Sequence, residues 1–440
     1  MLGVFSKRLG LRGVLPSLHA STTIRSTPLF LAQRYFSAFP LPHQDIVSTN
    51  QMHHTVPAAC YYSDSHCEIE QREIFEKSWL LAGHKNAILP TVGSVAEATV
   101  AGQSIVLVRN AKDGENSVSG YYNVCPHRAH ELVPPQTRKQ LKSKVLTCPN
   151  HGWSFRASNG SLIKARFCED VHGFCSSDYS LNAVAVKEVL GLIFVNLWSN
   201  DSDVKSFDST FGPELSTVLK AKIPGIDGAD MKQLAVKENV VNANWKVLVD
   251  NFLECYHCDI AHKAFVDMVD LNDYSTYVND HCIYFESTCK PDNQAYSFSK
   301  DDLLQTAFFC WLWPNNVVYS APGSPNMSIL QFIPISPTQT LRRSERFAIT
   351  DTSDASSDVS NEESVKAAEA RVQYLNQVLL EEDTAICESV QRGLKSKPYK
   401  HGRLMVSKGS SQEQKWHTEI AVARFHQLLS RYCFASEENK

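Results

Sequence analysis

NVCPHRAH, Asn123 to His130, is met again in altered form as LTCPNHGW, Leu146 to Trp153, and this pair decides how the first half of the chain folds. Each stretch offers one thiolate and one imidazole, Cys125 with His127 and Cys148 with His151. In each a proline follows the cysteine directly, as in two similar tight loops. Twenty residues separate His127 from Cys148, so the two loops can close on one metal centre. A zinc finger takes its cysteines together and its histidines together, and the single residue between Cys125 and His127 is too tight for that. A two-iron cluster with both thiolates on one iron and both imidazoles on the other wants this mixed pairing, and its neutral histidines raise its potential. A 2Fe-2S cluster of the Rieske type is the preferred reading, with zinc second and a purely structural role third. His130 and Cys168 fall outside the spacing and read as ordinary residues.

Around the loops lie short alternating or apolar runs bounded by turn residues: SVAEATVAG, QSIVLVRN, VSGYYNV, KVLTC, VAVKEVLG and LIFVNLW. They predict a small all-β domain over Leu80 to Trp198, entered by a short amphipathic helix at Glu68 to Trp79. SNDSDVKSFDST, from Ser199, is polar and turn-rich and marks a boundary. No acidic residue precedes Asp45, whereas Lys7, Arg8, Arg12, Arg25 and Arg34 are spread among serines, threonines and leucines. That is the composition of an organelle transit peptide over residues 1–44, mitochondrial by its arginine spacing, with the plastid stroma as the alternative. The plan is a leader at 1–44, a cluster-binding domain with its N-terminal helix at 45–198 and a second domain at 199–440.

The 440 residues are 43% hydrophobic and 20% charged with a net charge of -4, so neither a nucleic-acid-binding stripe nor disorder is indicated. The expected partners are small molecules and other proteins. No apolar run approaches the roughly 18 residues of a membrane helix. Thirteen cysteines, scattered from Cys60 to Cys433, read as mostly reduced, with some serving as ligands.

The second half mixes helical and strand periods. NWKVLVDNFLECYH has helical spacing; FFCWLW, VVYSA, SILQFIPISP and TLRRSERFAIT read as strands; DTSDASSDVSNEES is an acidic-serine loop. A long helix is expected over Glu362 to Leu394 and a last one over Glu413 to Tyr432, giving an α+β domain on an antiparallel sheet. Its densest set of ligand side chains is NFLECYHCDIAH, Asn251 to His262. Cys255, Cys258 and His262 read as zinc ligands, whereas Glu254, His257 and His262 read as an iron site. Glu254 and His257, three apart, share a helix face. An ideal helix would rotate His262 about 140° from His257, so the helix must end or bulge between them.

Two histidines need a carboxylate to complete the facial triad of non-haem iron. In AEARVQYLNQVLLEEDTAICESVQRGL the apolar stripe runs through Ala368, Val372, Leu375, Leu379, Ile386, Val390 and Leu394, and Asp383 falls on it. A charge there costs on the order of several kcal/mol unless it is paired or bound to metal. Glu381, Glu382 and Glu388 lie off the stripe and are expected in solvent, and an ion pair with arginine is the plainer alternative for Asp383.

CPHRAHELV with CPNHGWSF, followed by GLIFVNLW, resembles the Rieske domain of the ring-hydroxylating oxygenase large subunits, most of all their choline monooxygenase and carnitine oxygenase branch. The similarity spans nearly everything after the leader. The gap between His127 and Cys148 is a few residues longer than the family usually shows, with the extra length in the basic loop TRKQLKSK. The resemblance implies an α+β chain: an all-β Rieske domain, then a helix-grip, START-like catalytic domain with an antiparallel sheet and long C-terminal helices. It implies a Rieske cluster on Cys125, His127, Cys148 and His151, and mononuclear non-haem Fe(II) on His257, His262 and Asp383. Glu254 becomes a bridge between a Rieske histidine of one subunit and an iron histidine of its neighbour, which implies a homo-oligomer, usually a trimer. Cys255 and Cys258 then fall to packing, Asp250 and Asn251 to either site support or packing, and the last helix, with His417, Glu419, Phe425 and His426, to packing.

The same resemblance implies O2 as co-substrate, with electrons supplied by ferredoxin or a reductase. It places the substrate among quaternary ammonium compounds, choline first, giving betaine aldehyde hydrate on the way to glycine betaine. The alternatives are a carnitine or betaine oxygenase or N-demethylase, an aromatic-ring dioxygenase large subunit and, in another class, a zinc-binding module without activity. A trimethylammonium group donates no hydrogen bond and is held best by aromatic faces. Phe308, Phe309, Trp311, Trp313 and Tyr319 supply candidates, with Trp311, Trp313 and Tyr319 put first, although alternating aromatics on a strand are more often core.

Overall fold

Ser94–Val100 and Gln103–Arg109 pair antiparallel across two residues, and both of these, Ala101 (φ 47°) and Gly102 (φ 76°), take the left-handed backbone of a tight hairpin. Leu190 (φ 52°) and Gly191 (φ 81°) repeat that solution between Ala183–Val189 and Leu192–Asn196. These hairpins seed a seven-stranded antiparallel sheet whose order is Leu80–His84, Leu192–Asn196, Ala183–Val189, Val118–Tyr122, Gln103–Arg109, Ser94–Val100 and Leu141–Lys142. A three-stranded sheet, Val145–Thr147, Ser154–Arg156 and Leu162–Lys164, stands beside it.

This computed structural model describes residues 47–48, 51–110, 117–134, 141–198, 205–349, 370–371, 373–408 and 416–433. The chain divides into Met1–Gln44 and Asp45–Lys440. The expected leader, the acidic-serine loop, the first residues of the expected long helix and the first half of TRKQLKSK lie outside the described residues. Among those described, no helix is long and apolar enough to cross a membrane.

The catalytic half is built on a second seven-stranded antiparallel sheet. Its order is Met231–Val241, Gln339–Ile349, Asn326–Ser336, Asn316–Ser320, Thr306–Leu312, Cys282–Thr288 and Ser275–Val278. Met231–Val241 was not among the expected strands, yet MKQLAVKENVV alternates; as an edge strand it exposes Leu234, Val236 and Val240. Three helices bear on the face presented by Phe309, Trp311, Phe332 and Arg342. Phe252, at the end of Trp245–Phe252, meets Phe285, Phe309 and Phe332; Phe425 of Ile420–Cys433 meets Trp311; Arg342 Nη1 donates to the Leu380 carbonyl at 2.7 Å.

The helix expected at 68–79 is found as Asp64–Glu70 running into a π-turn, Gln71–Phe75; Gln71 Nε2 donates to the Ala101 carbonyl of the Rieske hairpin at 2.8 Å, and the segment also packs firmly on the catalytic half. The reason is Glu70, which is buried and accepts from Trp245 Nε1 at 2.8 Å and from the buried Lys246 Nζ at 2.5 Å. A carboxylate removed from water must have such partners, so the pair fixes where the segment lies. Phe75 packs edge-on to Trp245 at 5.1 Å. The two halves are joined directly by Gln331 Nε2 donating to the Leu81 carbonyl at 2.8 Å and Trp313 Nε1 to Ser78 Oγ at 3.1 Å.

The long helix is observed as a π-turn, Tyr374–Leu379, leading into Leu380–Gly393. A π-turn holds an extra residue, so the buried stripe slips. After it the buried positions are Leu380, Cys387, Gln391 and Leu394, while Val390, expected inside, is exposed. The last helix begins at Ile420 rather than near 413, because Thr418 Oγ1 and Glu419 Oε2 accept from the backbone of Ser407 and Met405 and so hold the approach outside helical geometry.

Candidate metal centres

The two cluster loops are built alike. Each cysteine N–H donates to the carbonyl five residues on, His130 at 2.9 Å and Trp153 at 2.8 Å, and each cysteine carbonyl accepts from the residue four on, Ala129 and Gly152, both at 3.0 Å. Each turn ends on left-handed backbone, at Ala129 (φ 57°) and Gly152 (φ 72°). Cys125 and Cys148 are buried; His127 and His151 are exposed, with rings 4.6 Å apart, and His127 lies flat on Trp153 at 4.7 Å. Burial raises the pKa of the Cys125 thiol, opposed by the backbone N–H groups of His127 and Arg128 directed at its sulfur, and the Cys148 thiol stands within hydrogen-bond reach. Thiols therefore pair on the inside and imidazoles on the outside, as a cluster with distinct inner and outer irons requires.

Zinc would need all four donors to converge on one point. Among the described residues, the set of three or more His, Cys, Asp or Glu side chains whose ligand atoms all lie within 4.8 Å is instead His257, His262 and Asp383.

That second site depends on broken helices. Asn244 caps Trp245–Phe252 by accepting from the Lys246 N–H at 3.0 Å, and the helix ends before Glu254. Glu254 Oε2 accepts from the His257 backbone N–H at 3.1 Å, and its Oε1 lies 2.6 Å from His257 Nδ1. A single turn, Cys258–Ala261, follows, and His262 (φ -121°, ψ 67°) leaves helical backbone before Lys263–Met268. The interruption required between the histidines is thus a turn and a break, not an ideal helix. It brings His257 Nε2 to 3.1 Å from His262 Nε2; Asp383 Oδ1 stands 3.0 Å from His262 Nε2 and 3.8 Å from His257 Nε2.

Carboxylates hold the outer nitrogens of both rings: Glu254 on His257, and Glu382 Oε2 on His262 Nδ1 at 2.7 Å. With Nδ1–H donated outward, each Nε2 turns a lone pair toward Asp383, the arrangement of metal-ligating histidines. Burial works against charging His262, but Asp383 and then Glu382 outweigh it, so its pKa lies above the ordinary histidine value. Two imidazoles and one carboxylate on one side leave the rest of a coordination sphere open, which fits a facial iron triad.

Several expectations are corrected here. Glu382, expected in solvent, orients His262; its place beside Asp383 gave no periodic signal. Glu388 stays at the surface as expected, where it accepts from the Asn242 backbone and side chain, both at 3.0 Å. Cys255 and Cys258, expected as free packing residues, form a disulfide, because the turn between them sets their Cα atoms 4.9 Å apart. Asn251 supports the site by donating to Asp383 Oδ1 at 2.8 Å. Asp250 accepts from Tyr61 at 2.8 Å and from His426 Nε2 at 3.0 Å, so His426 does more than fill space. Trp311 and Trp313, put first for substrate, are core residues packed on Phe425, with Trp313 also stacked on Tyr432. Tyr319 is buried, stacked on Phe309 at 5.2 Å with the Arg346 guanidinium 5.0 Å from its ring centre.

Residues 78–175 match the Rieske [2Fe-2S] domain and residues 228–435 the ring hydroxylating alpha subunit (catalytic domain). The carnitine monooxygenase oxygenase subunit of Escherichia coli (strain K12) is 31% identical over 395 residues, 89% of this chain and 97% of that protein. The chain belongs to the Rieske-type ring-hydroxylating oxygenases. As a member it takes a Rieske cluster and a mononuclear non-haem iron, and the two donor sets fit them. The oxygenase is also 24% identical to the chloroplastic choline monooxygenase of Atriplex hortensis, over 80% of this chain and 74% of that one. A solved structure of a quaternary ammonium Rieske monooxygenase superposes with a TM-score of 0.73 at 28% identity, covering 86% of this chain and 95% of the other. Naphthalene 1,2-dioxygenase from Rhodococcus sp. shares the fold, with a TM-score of 0.67 at 17% identity over 87% of this chain and 95% of that one.

Asp383→Ala should abolish mononuclear iron binding while leaving the cluster intact, read by metal analysis and the cluster's visible absorbance. Glu382→Gln should keep the same ligands but weaken iron binding by about 10- to 100-fold, as loss of an orienting carboxylate does.

Proposed function

We propose that this oxygenase is a monooxygenase of quaternary ammonium compounds, fed electrons one at a time by a ferredoxin or a separate reductase. The carrying observation is that Phe252, which follows the triad's support Asn251 in the chain, and Phe309, 6.1 Å from the Phe252 ring, stay only partly buried between helix and sheet. Aromatic surface of that kind suits a trimethylammonium group, which offers no hydrogen bond. Iron bound at the triad would supply O2 activation for insertion of one oxygen into a C–H bond. Glu254 and Glu382 hold the histidine rings, Asn251 holds Asp383, and the aromatic walls limit water. Choline is the substrate favoured by the motifs; carnitine gains support from the higher identity and fuller coverage of carnitine monooxygenase oxygenase subunits.

The test is anaerobic reduction of the purified protein, then oxygen with a panel of choline, L-carnitine, glycine betaine and an aromatic hydrocarbon, read by mass spectrometry. The expected outcome is one added oxygen, or demethylation, on a quaternary amine; turnover of the aromatic alone would overturn the reading.

Glu254 is proposed as the bridge to a neighbouring subunit's Rieske histidine in a homo-oligomer, a trimer by resemblance. Its contact with His257 supplies one half of such a bridge. Glu254→Ala should retain both metals yet leave a prereduced cluster unable to reoxidise in the presence of substrate and oxygen; loss of iron instead would make Glu254 a ligand.

Residues 1–44 are proposed as a mitochondrial leader. Fused to a fluorescent protein they should direct it to mitochondria; plastid or cytosolic fluorescence would reject the assignment.

A further inference from the structure

From Leu132 to Cys168 the chain carries seven lysines and arginines and no acidic residue, although its net charge is -4. Glu131 and Glu169 close the stretch at either end, and the cluster ligands Cys148 and His151 lie inside it. Lys142, Lys144, Arg156, Lys164 and Arg166 are all exposed, and none of the five has an ion-pair partner among the described residues.

The small three-stranded sheet gathers these charges onto one surface. Its inner positions, Leu146 and Phe155, are buried, so the register turns Val145 with Arg156, Thr147 with Ser154, and then Lys164 to the opposite face. Thr147 Oγ1 and Ser154 Oγ meet there at 3.1 Å. The first two strands are joined by residues 148–153, the loop that carries two cluster ligands, so the basic face runs up to the exposed His151. Arg166 reaches that loop: its Cδ lies 3.2 Å from where a Cβ on Gly152, the residue after His151, would stand. Its guanidinium is 5.1 Å from the centre of the Phe167 ring. Phe167 is 80% exposed on left-handed backbone (φ 58°), a conformation that costs a bulky residue stability and that persists where function requires it. An aromatic ring beneath an arginine, held in water beside unpaired cations, has the make-up of an interface anchor.

Building on the proposed delivery of electrons by a separate protein, we propose that the outer face of this sheet, with Arg166 and Phe167, is where that donor docks, and that the donor presents an acidic surface around its own redox centre. Each visit passes one electron: the donor is oxidised, the cluster is reduced, and no bond is made or broken. A repeated delivery needs fast arrival and fast release. Exposed charges around a single aromatic anchor suit such a brief, salt-sensitive encounter, whereas a permanent subunit contact would be larger and more apolar. The face also ends at an imidazole of the cluster, which gives a donor docked there a short path.

The test uses the full-length protein with cluster and iron in place and, as probe, a plant-type [2Fe-2S] ferredoxin, whose surface is acidic. Binding of the oxidised ferredoxin is measured by calorimetry, and reduction of the Rieske cluster by the reduced ferredoxin is followed by paramagnetic resonance of freeze-quenched samples. Photoreduced 5-deazariboflavin, small and uncharged, is the control. Affinity should fall at least about 10-fold between about 20 and about 300 mM salt. Arg156→Glu and Lys164→Glu should each weaken binding and slow reduction by about 10-fold at low salt. Phe167→Ala should do so at both salt levels, and deazaflavin should reduce all variants within about twofold of the unaltered rate. Salt-independent binding, absence of binding, or charge reversals that change nothing overturn the docking face and leave the quaternary-ammonium reading standing, because no substrate enters the measurement. Charge reversals that break the oligomer in light scattering overturn it too, and give the face to a second copy of the chain. Should a variant lose its cluster, the salt dependence of the unaltered protein decides alone.

Discussion

Everything in the catalytic half is arranged around two imidazole nitrogens, His257 Nε2 and His262 Nε2, held 3.1 Å apart with the Asp383 carboxylate against them. A shared proton or a bound cation lets two such nitrogens approach so closely, and the surroundings are built to turn both toward one point. Glu254 and Glu382 occupy the far nitrogens, Asn251 holds Asp383, and the backbone breaks at His262 so that histidines five apart can meet. Each support comes from a different local device: the last turn of one helix, the turn that follows it, and the start of another helix.

The same economy is visible where the halves meet. Glu70, Lys246 and Trp245 form a buried hydrogen-bonded group that fastens the N-terminal segment to the helix leading to the iron ligands. His426, from the last helix, accepts the Val56 N–H on one nitrogen and stands 3.0 Å from Asp250 on the other, so both chain ends bear on the residue preceding Asn251. The positions of the iron ligands are thereby set by residues from Val56 to His426, and ligand geometry becomes a property of the whole catalytic domain. The Rieske loops, by contrast, are locally determined: each closes on itself through the same pair of backbone hydrogen bonds.

Much of this was legible in the chain. The mixed Cys/His spacing led to the Rieske domain because a cluster with unlike irons constrains short-range geometry. Asp383 was found by periodicity even though the π-turn shifts the buried stripe after Leu379, since the carboxylate stays on the inward side of the helix. Glu382 was misread because its partner, His262, lies 120 residues away, and nothing local marks a carboxylate that faces sideways to a ligand. Trp311 and Trp313 were misread because strand alternation tells which residues share a face but not what covers it; Phe425 and Tyr432 cover them.

By itself the sequence determined two candidate metal donor sets, the order of a β-rich domain before an α+β one, and the family, because ligand chemistry and hydrogen-bonded hairpins are written in short spacings. The tertiary structure alone decided which acids orient the histidines and that Trp311 and Trp313 are core. Those are matters of long-range packing and register, where the free energy of a charge or a ring depends on neighbours that the chain brings together only on folding.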